Sequence, residues 1–141
     1  RSDALPIWMI VEDDPDIHEF MAAMFDLWDV QHIHFPTGEE AIDWIDAVDS
    51  GQVQDALPEL AILDIRLPDI PGDRVGARLR RSAHLRDIGI VMITAYRLKP
   101  AEEGAILAAS GADQFLYKPL PAVPELRALF DDVLAAHTRP R

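Results

Sequence analysis

The sequence predicts a doubly wound α/β domain, a (βα)5 repeat forming a five-stranded parallel sheet of order 2-1-3-4-5 with helices on both faces. Three observations predict it. Short apolar runs alternate with amphipathic stretches five times along the chain. The runs at 7–11, 60–63 and 90–93 are apolar throughout, as strands covered on both faces are. A length of 141 residues accommodates five βα units, whereas the closed eightfold barrel needs about 250 residues.

Taken in order, Ile7-Trp8-Met9-Ile10-Val11 reads as the first strand and ends in Glu12-Asp13-Asp14. Asp14-Pro15 offers an N-cap followed by proline at the first helical position. Ile17, Phe20, Met21, Met24, Leu27 and Trp28 then recur at helical spacing and give that helix an apolar face. Residues 30–35 alternate as a second strand. Thr37-Gly38 turns the chain into a helix whose apolar face is Ala41, Ile42, Ile45 and Val48, closed by Ser50-Gly51. The third strand ends at Asp64, and the turn Pro68-Asp69-Ile70-Pro71-Gly72 leads into a helix carrying Val75 and Leu79.

The fourth strand ends at Thr94-Ala95. A helix over 100–110 follows, stopped by Gly111 as a C-terminal cap. Gly104 inside it costs about 1 kcal/mol relative to alanine, so this helix is expected to be the softest. Phe115-Leu116-Tyr117 is the last strand and ends at Lys118-Pro119. The final helix is expected to bury Leu126, Phe130, Val133 and Leu134.

Composition excludes several classes. Apolar residues at 49% and charged residues at 27% are ordinary globular values. The chain has no cysteine, so disulfide scaffolds, thiolate metal sites and thiol catalysis are ruled out. Thirteen Lys and Arg against twenty-five Asp and Glu leave a net charge of −12, which disfavours direct contact with nucleic acid or an anionic membrane. The run 7–11 falls far short of the ~20 apolar residues that a membrane span needs. A cytoplasmic protein is expected. The opening Arg1-Ser2 in place of Met suggests an excised domain or a cloning remnant, and residues 138–141 read as a terminus or the start of a linker.

In open α/β sheets ligands bind beyond the carboxyl ends of the strands. Those ends carry Glu12 and Asp13, Asp64, Thr94 and Lys118, so four strands of five place a reactive polar group at one edge. Carboxylates crowded together repel unless some are protonated or a cation joins them. Oxygen ligands without His or Cys suit a hard divalent ion, and Mg2+ is the physiological choice. Asp64 could then attack phosphorus, with the cation and the Lys118 ammonium neutralising charge and the Thr94 hydroxyl donating to a phosphoryl oxygen.

This set, with Asp64 lying in Leu-Asp-Ile-Arg-Leu-Pro-Asp-Ile-Pro-Gly at 63–72, followed by Thr94-Ala95 and Lys118-Pro119, resembles the receiver domain of two-component response regulators, a CheY-like module of the flavodoxin type. The resemblance covers residues from about 5 to 137 and implies one receiver domain over 1–141, with any output domain outside the chain. It implies that Asp64 is the phosphoacceptor, that Asp13 ligates Mg2+ directly and Glu12 through water, and that the main-chain carbonyl of Arg66 is a further ligand. It implies that Thr94 and Lys118 bind the phosphoryl group and that the Lys118–Pro119 bond is cis. Thr94 and Phe115 would form the switch, and Arg66 and Tyr96 would tune dephosphorylation.

The implied partners are a sensor histidine kinase or phosphotransfer protein and an unidentified output domain or protein. A homodimer through the fourth helix, fifth strand and fifth helix is consistent with the family. Two departures from the family pattern stand out. Glu12 replaces the usual first Asp, and Phe115 replaces a frequent Tyr, which removes a hydroxyl from the switch. Large side chains at Arg66 and Tyr96 are expected to hinder water and lengthen the phosphoryl lifetime. A hydrolase of the haloacid-dehalogenase kind would need a second Asp where Arg66 stands, and a receiver-like binder that never takes phosphate would not need the full polar set. His32 and His34 share one strand face and could form an adventitious metal site if a third ligand were near; His18, His84 and His137 are read as surface residues, and Trp8, Trp28 and Trp44 as packing.

Overall fold

The computed structural model describes residues 5–138. Arg1-Ser2 at one end and the linker reading of 139–141 at the other lie outside that range. The elements run β1 (Ile7–Val11), α1 (Pro15–Leu27), β2 (Gln31–Phe35), α2 (Gly38–Asp49), β3 (Leu60–Asp64), α3 (Gly72–Arg80), β4 (Gly89–Thr94), α4 (Pro100–Ser110), β5 (Gln114–Tyr117) and α5 (Val123–Thr138). All four strand pairings are parallel and the order is β2-β1-β3-β4-β5. Fold class and topology are those the sequence predicts. The sheet reverses its winding between β1 and β3, and the acidic strand ends lie on either side of that point.

The start and stop signals act as read. Asp14 caps α1 by accepting the Asp16 N–H at 2.9 Å. Thr37 caps α2 by accepting the Glu40 N–H at 3.1 Å. Gly111 takes a left-handed φ of 69° at the end of α4, a conformation that costs glycine nothing because it has no Cβ.

The core has two layers, one on each face of the sheet. Trp8, Ile10, Ile62, Val91 and Ile93 point to α1 and α5, and Met9, Val11, Ala61, Leu63, Ile90 and Met92 point to α2 and α3. In the first layer Trp8 is fully buried, edge-on to Phe25 at 5.0 Å and to Phe130 at 5.4 Å. Its indole N–H donates to Glu59 Oε2 at 2.9 Å, so no polar atom of that ring is stranded.

Three expectations need correction. Leu27 is 80% and Phe20 41% exposed, and Phe25 is buried instead; Met21, Met24, Phe25 and Trp28 keep the i, i+3, i+4, i+7 spacing, while Leu27 and Phe20 fall about 100° off that stripe. Val30 precedes β2, whose ladder begins where Gln31 pairs with Ile7. His18 is not a surface residue. Its ring is half-buried, stacked on His34 at 3.6 Å and edge-on to His32 at 5.6 Å.

Candidate acidic site at the carboxyl ends of the strands

Each functional side chain is delivered by the end of a strand. Glu12 follows β1 and is fully buried, Asp13 beside it is exposed, and Asp64 closes β3 almost fully buried. Carboxylate oxygens of Glu12, Asp13 and Asp64 lie within 4.8 Å of one another. Thr94, buried at the end of β4, and Lys118, just past β5, complete the set. Lys118 Nζ donates to Asp64 Oδ2 at 2.9 Å and lies 2.9 Å from Glu12 Oε1. The sequence-predicted residues are therefore brought together.

The backbone fixes these groups in place. The Arg66 N–H donates to Asp64 Oδ1 at 2.9 Å, and the Tyr96 N–H donates to Thr94 Oγ1 at 3.1 Å. The Thr94 hydroxyl thereby keeps its own proton available for another acceptor. The Asp14 N–H binds Glu12 Oε2 at 3.1 Å, and His34 Nε2 lies 2.8 Å from the Glu12 carbonyl oxygen. Gly72 touches the back of the site. A Cβ at that position would lie 2.0 Å from the Asp64 carbonyl oxygen, so only glycine admits this close approach. The Lys118–Pro119 bond is cis, as the resemblance implies.

Charge in the pocket is unbalanced. Three carboxylates face one ammonium. Burial, reinforced by the hydrogen-bonded Asp64 carboxylate, pushes Glu12 up to about 7, with Lys118 pulling the other way. Burial pulls Lys118 down, but the adjacent Glu12 and Asp64 carboxylates more than offset this and hold it above the usual lysine range. Glu12 Oε1 is buried and accepts no well-aligned hydrogen bond, despite its closeness to Nζ. An under-coordinated buried carboxylate oxygen beside two more carboxylates fits a hard divalent cation, whose charge would make all three ionised forms compatible.

Around the pocket, Arg66 and Tyr96 are exposed, and the Arg66 guanidinium lies 4.1 Å from the centre of the Tyr96 ring. Phe115 is half-buried against the α2–α3 core layer with Ile106 and Ala112, and stacks on Tyr117 at 6.0 Å. The sequence reading missed what Tyr117 does. Its hydroxyl donates to the Glu103 carboxylate on α4, and the Arg97 guanidinium lies 4.7 Å from its ring. Ile17, Phe20, Pro119 and Leu120, the last two following Lys118 in the chain, line an apolar hollow of about 240 Å3. His32 and His34 do gain a third imidazole in His18, but the ring contact is a face-to-face stack with one nitrogen of His18 buried and unpartnered. Among the described residues, the carboxylate trio is where potential metal-ligand atoms converge.

Fold and site together define a doubly wound α/β domain with one acidic, cation-ready pocket at the carboxyl edge of its sheet. Comparison with known proteins narrows that class. The family model for the response regulator receiver domain matches residues 8–131, and the chain belongs to that family of signalling modules. It is 33% identical over 119 residues to the DNA-binding dual master transcriptional regulator RpaA of Synechocystis sp., covering 82% of this chain and 44% of RpaA. It is 27% identical over 112 residues to the polar-differentiation response regulator DivK of Brucella ovis, covering 79% of this chain and 83% of DivK. The chain thus spans under half the length of RpaA and most of DivK.

Among solved structures, a response regulator of Chloroflexus aurantiacus superposes with a TM-score of 0.77 at 27% identity, covering 93% of this chain and 98% of that one. The receiver domain of the sensor histidine kinase PA1611 of Pseudomonas aeruginosa superposes with a TM-score of 0.76 at 20% identity, covering 94% and 99%. That structure holds a magnesium ion in its active-site cleft.

Proposed function

We propose that this receiver domain takes a phosphoryl group from a histidine kinase or phosphotransfer protein onto Asp64 and relays its presence to an output domain or protein. The observation that carries the reading is the convergence of Glu12, Asp13 and Asp64, with Lys118 Nζ 2.9 Å from Asp64 Oδ2. An Asp64 oxygen attacks phosphorus, the bond from phosphorus to the donor imidazole nitrogen breaks, and the imidazole keeps the electron pair. Hydrolysis reverses the gain: water attacks phosphorus, the bond to Asp64 breaks, and inorganic phosphate leaves with the carboxylate restored.

Glu12, Asp13, Asp64 and the main-chain carbonyl of Arg66 would hold Mg2+, as the carboxylate geometry and the magnesium-bearing PA1611 receiver suggest. A bound Mg2+ supplies positive charge to the phosphoryl oxygens. Lys118 supplies a second cation, and the Thr94 hydroxyl donates to a phosphoryl oxygen. As Thr94 moves toward the phosphate, the Phe115 ring turns further into the core and the α4–β5–α5 face changes shape. That face is the proposed contact for the output, or for a second copy of the chain. The hollow formed by Ile17, Phe20, Pro119 and Leu120 is the proposed seat for the phosphodonor, because it is apolar and Pro119, the residue after Lys118, lines it. Arg66 and Tyr96 crowd the route of the attacking water and lengthen the phosphoryl lifetime. A cytoplasmic setting is part of this proposal.

Incubation with acetyl phosphate and Mg2+, followed by intact-mass measurement, tests the reading. The expected result is an adduct with the mass of one phosphoryl group that is absent in Asp64→Asn and absent when the divalent ion is chelated. An adduct that persists in Asp64→Asn sinks the assignment. A phosphoryl half-life of only seconds with Mg2+ present sinks the slow-hydrolysis part.

A further inference from the structure

The side chains of Arg66 and Tyr96, each two residues past a member of the acidic site (Asp64 and Thr94), meet with guanidinium over ring at 4.1 Å. Burial does not hold them there, since Arg66 is exposed and Tyr96 is 51% exposed. The reaction centre positions both. Arg66 donates its backbone N–H to the Asp64 carboxylate, and Tyr96 donates its backbone N–H to the Thr94 hydroxyl oxygen. The pair therefore bridges the tips of β3 and β4. Among the described residues Arg66 has no ion-pair partner, and its guanidinium rests on an uncharged ring.

We propose that Arg66 is a phosphoryl-binding residue held in reserve, its guanidinium leaving the Tyr96 ring for the phosphoryl oxygens once Asp64 is phosphorylated. This rests on the phosphoacceptor reading above. Charge drives the exchange. With a divalent cation bound, the three carboxylates are balanced by that ion and the Lys118 ammonium. Formation of the acyl phosphate removes the carboxylate charge of Asp64 and brings up to two negative charges on the phosphoryl oxygens. The pocket is then left one charge in deficit. Arg66 is an unpaired cation whose backbone is already bonded to the acceptor residue. A guanidinium fits phosphoryl oxygens through charge-assisted N–H···O bonds, which outweigh a solvent-exposed contact with an aromatic face. The uncovered Tyr96 ring, two residues past Thr94, then reports the occupied state at the start of the β4–α4 connection.

A purely steric cover makes a different prediction, because either truncation would then open the site in the same sense. The test uses beryllofluoride, a tetrahedral phosphoryl mimic, with Mg2+ and the whole chain, with binding followed by fluorine NMR. Arg66→Ala is expected to weaken uptake by at least roughly tenfold, the weight of one charge-assisted contact. Arg66→Lys should recover part of that loss. Tyr96→Ala should leave uptake unchanged or tighten it, since a competing partner for the guanidinium has gone. In the wild type, the Tyr96 ring resonances should move on binding toward those of free Arg66→Ala. Uptake by Arg66→Ala that is unchanged or tighter, parallel weakening by both truncations, or unmoved Tyr96 resonances overturns the exchange alone. A wild-type chain that takes up no mimic overturns the phosphoacceptor reading and this proposal together.

Discussion

Helix α1 buries Met21, Met24 and Phe25 against the sheet, whereas α4, of similar length, buries Ser110 alone. The first packs into the Trp8–Phe25–Phe130 cluster. The second is held at its ends, where Glu102 accepts the Lys99 N–H and Gly111 caps the final turn, and along its sides by Ser110 close against Gly76 of α3, by half-buried Ile106 against the α2–α3 core layer, and by Glu103 with Tyr117. Both begin at the sheet edge that carries the acidic site, α1 after β1 and α4 after β4. The difference fits the proposed switch: the more densely packed helix resists displacement, and the element with fewer buried residues is the one whose position a ligand would bias.

The largest expected effect breaks the fixed wall. Trp8→Ala removes a fully buried indole and leaves Glu59 without its donor, a cost of about 3–5 kcal/mol. Urea unfolding should show it as a lower midpoint with an unchanged slope. A loss below about 1 kcal/mol would mean that the aromatic cluster does not hold this face.

Next in size is the penalty stored in the pocket floor. The folded protein keeps the Glu12 proton up to about 7, while an unperturbed glutamate releases it near 4.5. Between those values the native state binds more protons than the unfolded chain, so metal-free stability falls as pH rises through that window. Glu12→Gln cannot ionise and should therefore be more stable than wild type at pH ~8, by on the order of 2–3 kcal/mol. The advantage should vanish near pH ~4, where wild-type Glu12 is neutral too. Adding Mg2+ at the higher pH should shrink the gap by stabilising wild type. Thermal melts in chelator and in Mg2+ at both pH values check this, and equal stability in chelator at the higher pH would contradict it.

A smaller effect sharpens the picture of the soft side. A Cβ on Gly104 would meet nothing within 4 Å, so Gly104→Ala should stabilise α4 by about 1 kcal/mol through helix propensity alone. Tyr117→Phe removes the hydroxyl that binds Glu103 and should act in the opposite sense by about 1 kcal/mol or less. Amide exchange should slow across α4 in the first variant and quicken in the second, with α1 unchanged in both. Matching changes in α1 would show that the two helices are not independent.

How much of this was legible in the sequence follows the same division. Strand ends, the Asp14 and Thr37 caps and the Gly111 stop are local chemistry, and they could be read from a few neighbouring residues. The carboxylate trio was legible because parallel topology sends every strand's carboxyl end to one edge. Phe25 was readable in principle: it stands four residues after Met21 and three before Trp28, on the stripe that Leu27 misses. The Arg66–Tyr96 contact and the Tyr117–Glu103 bond were not, because the first joins two loops and the second a strand to a helix, and no periodicity specifies how such side chains meet. The mutual contact of His18 with the β2 histidines failed for the same reason.

That histidine group gives the smallest effect and the subtlest test of the packed wall. Burial, followed by the nearby His34 and His32, holds His18 below its usual 6.5, with Glu19 pulling weakly upward. The unfolded chain therefore takes up this proton at a pH where the folded chain refuses it. Stability from this residue is complete above about 6.5 and declines as pH falls from there toward the lowered folded value. Glu12 contributes a slope of opposite sign over the same range, so the measurement belongs in the Glu12→Gln background. There, replacing His18 with Phe keeps a flat ring over His34 and removes the titration, and it should flatten the acid limb of a stability–pH curve. If the limb stays as steep, the His18 stack is not what links α1 to β2 on acidification.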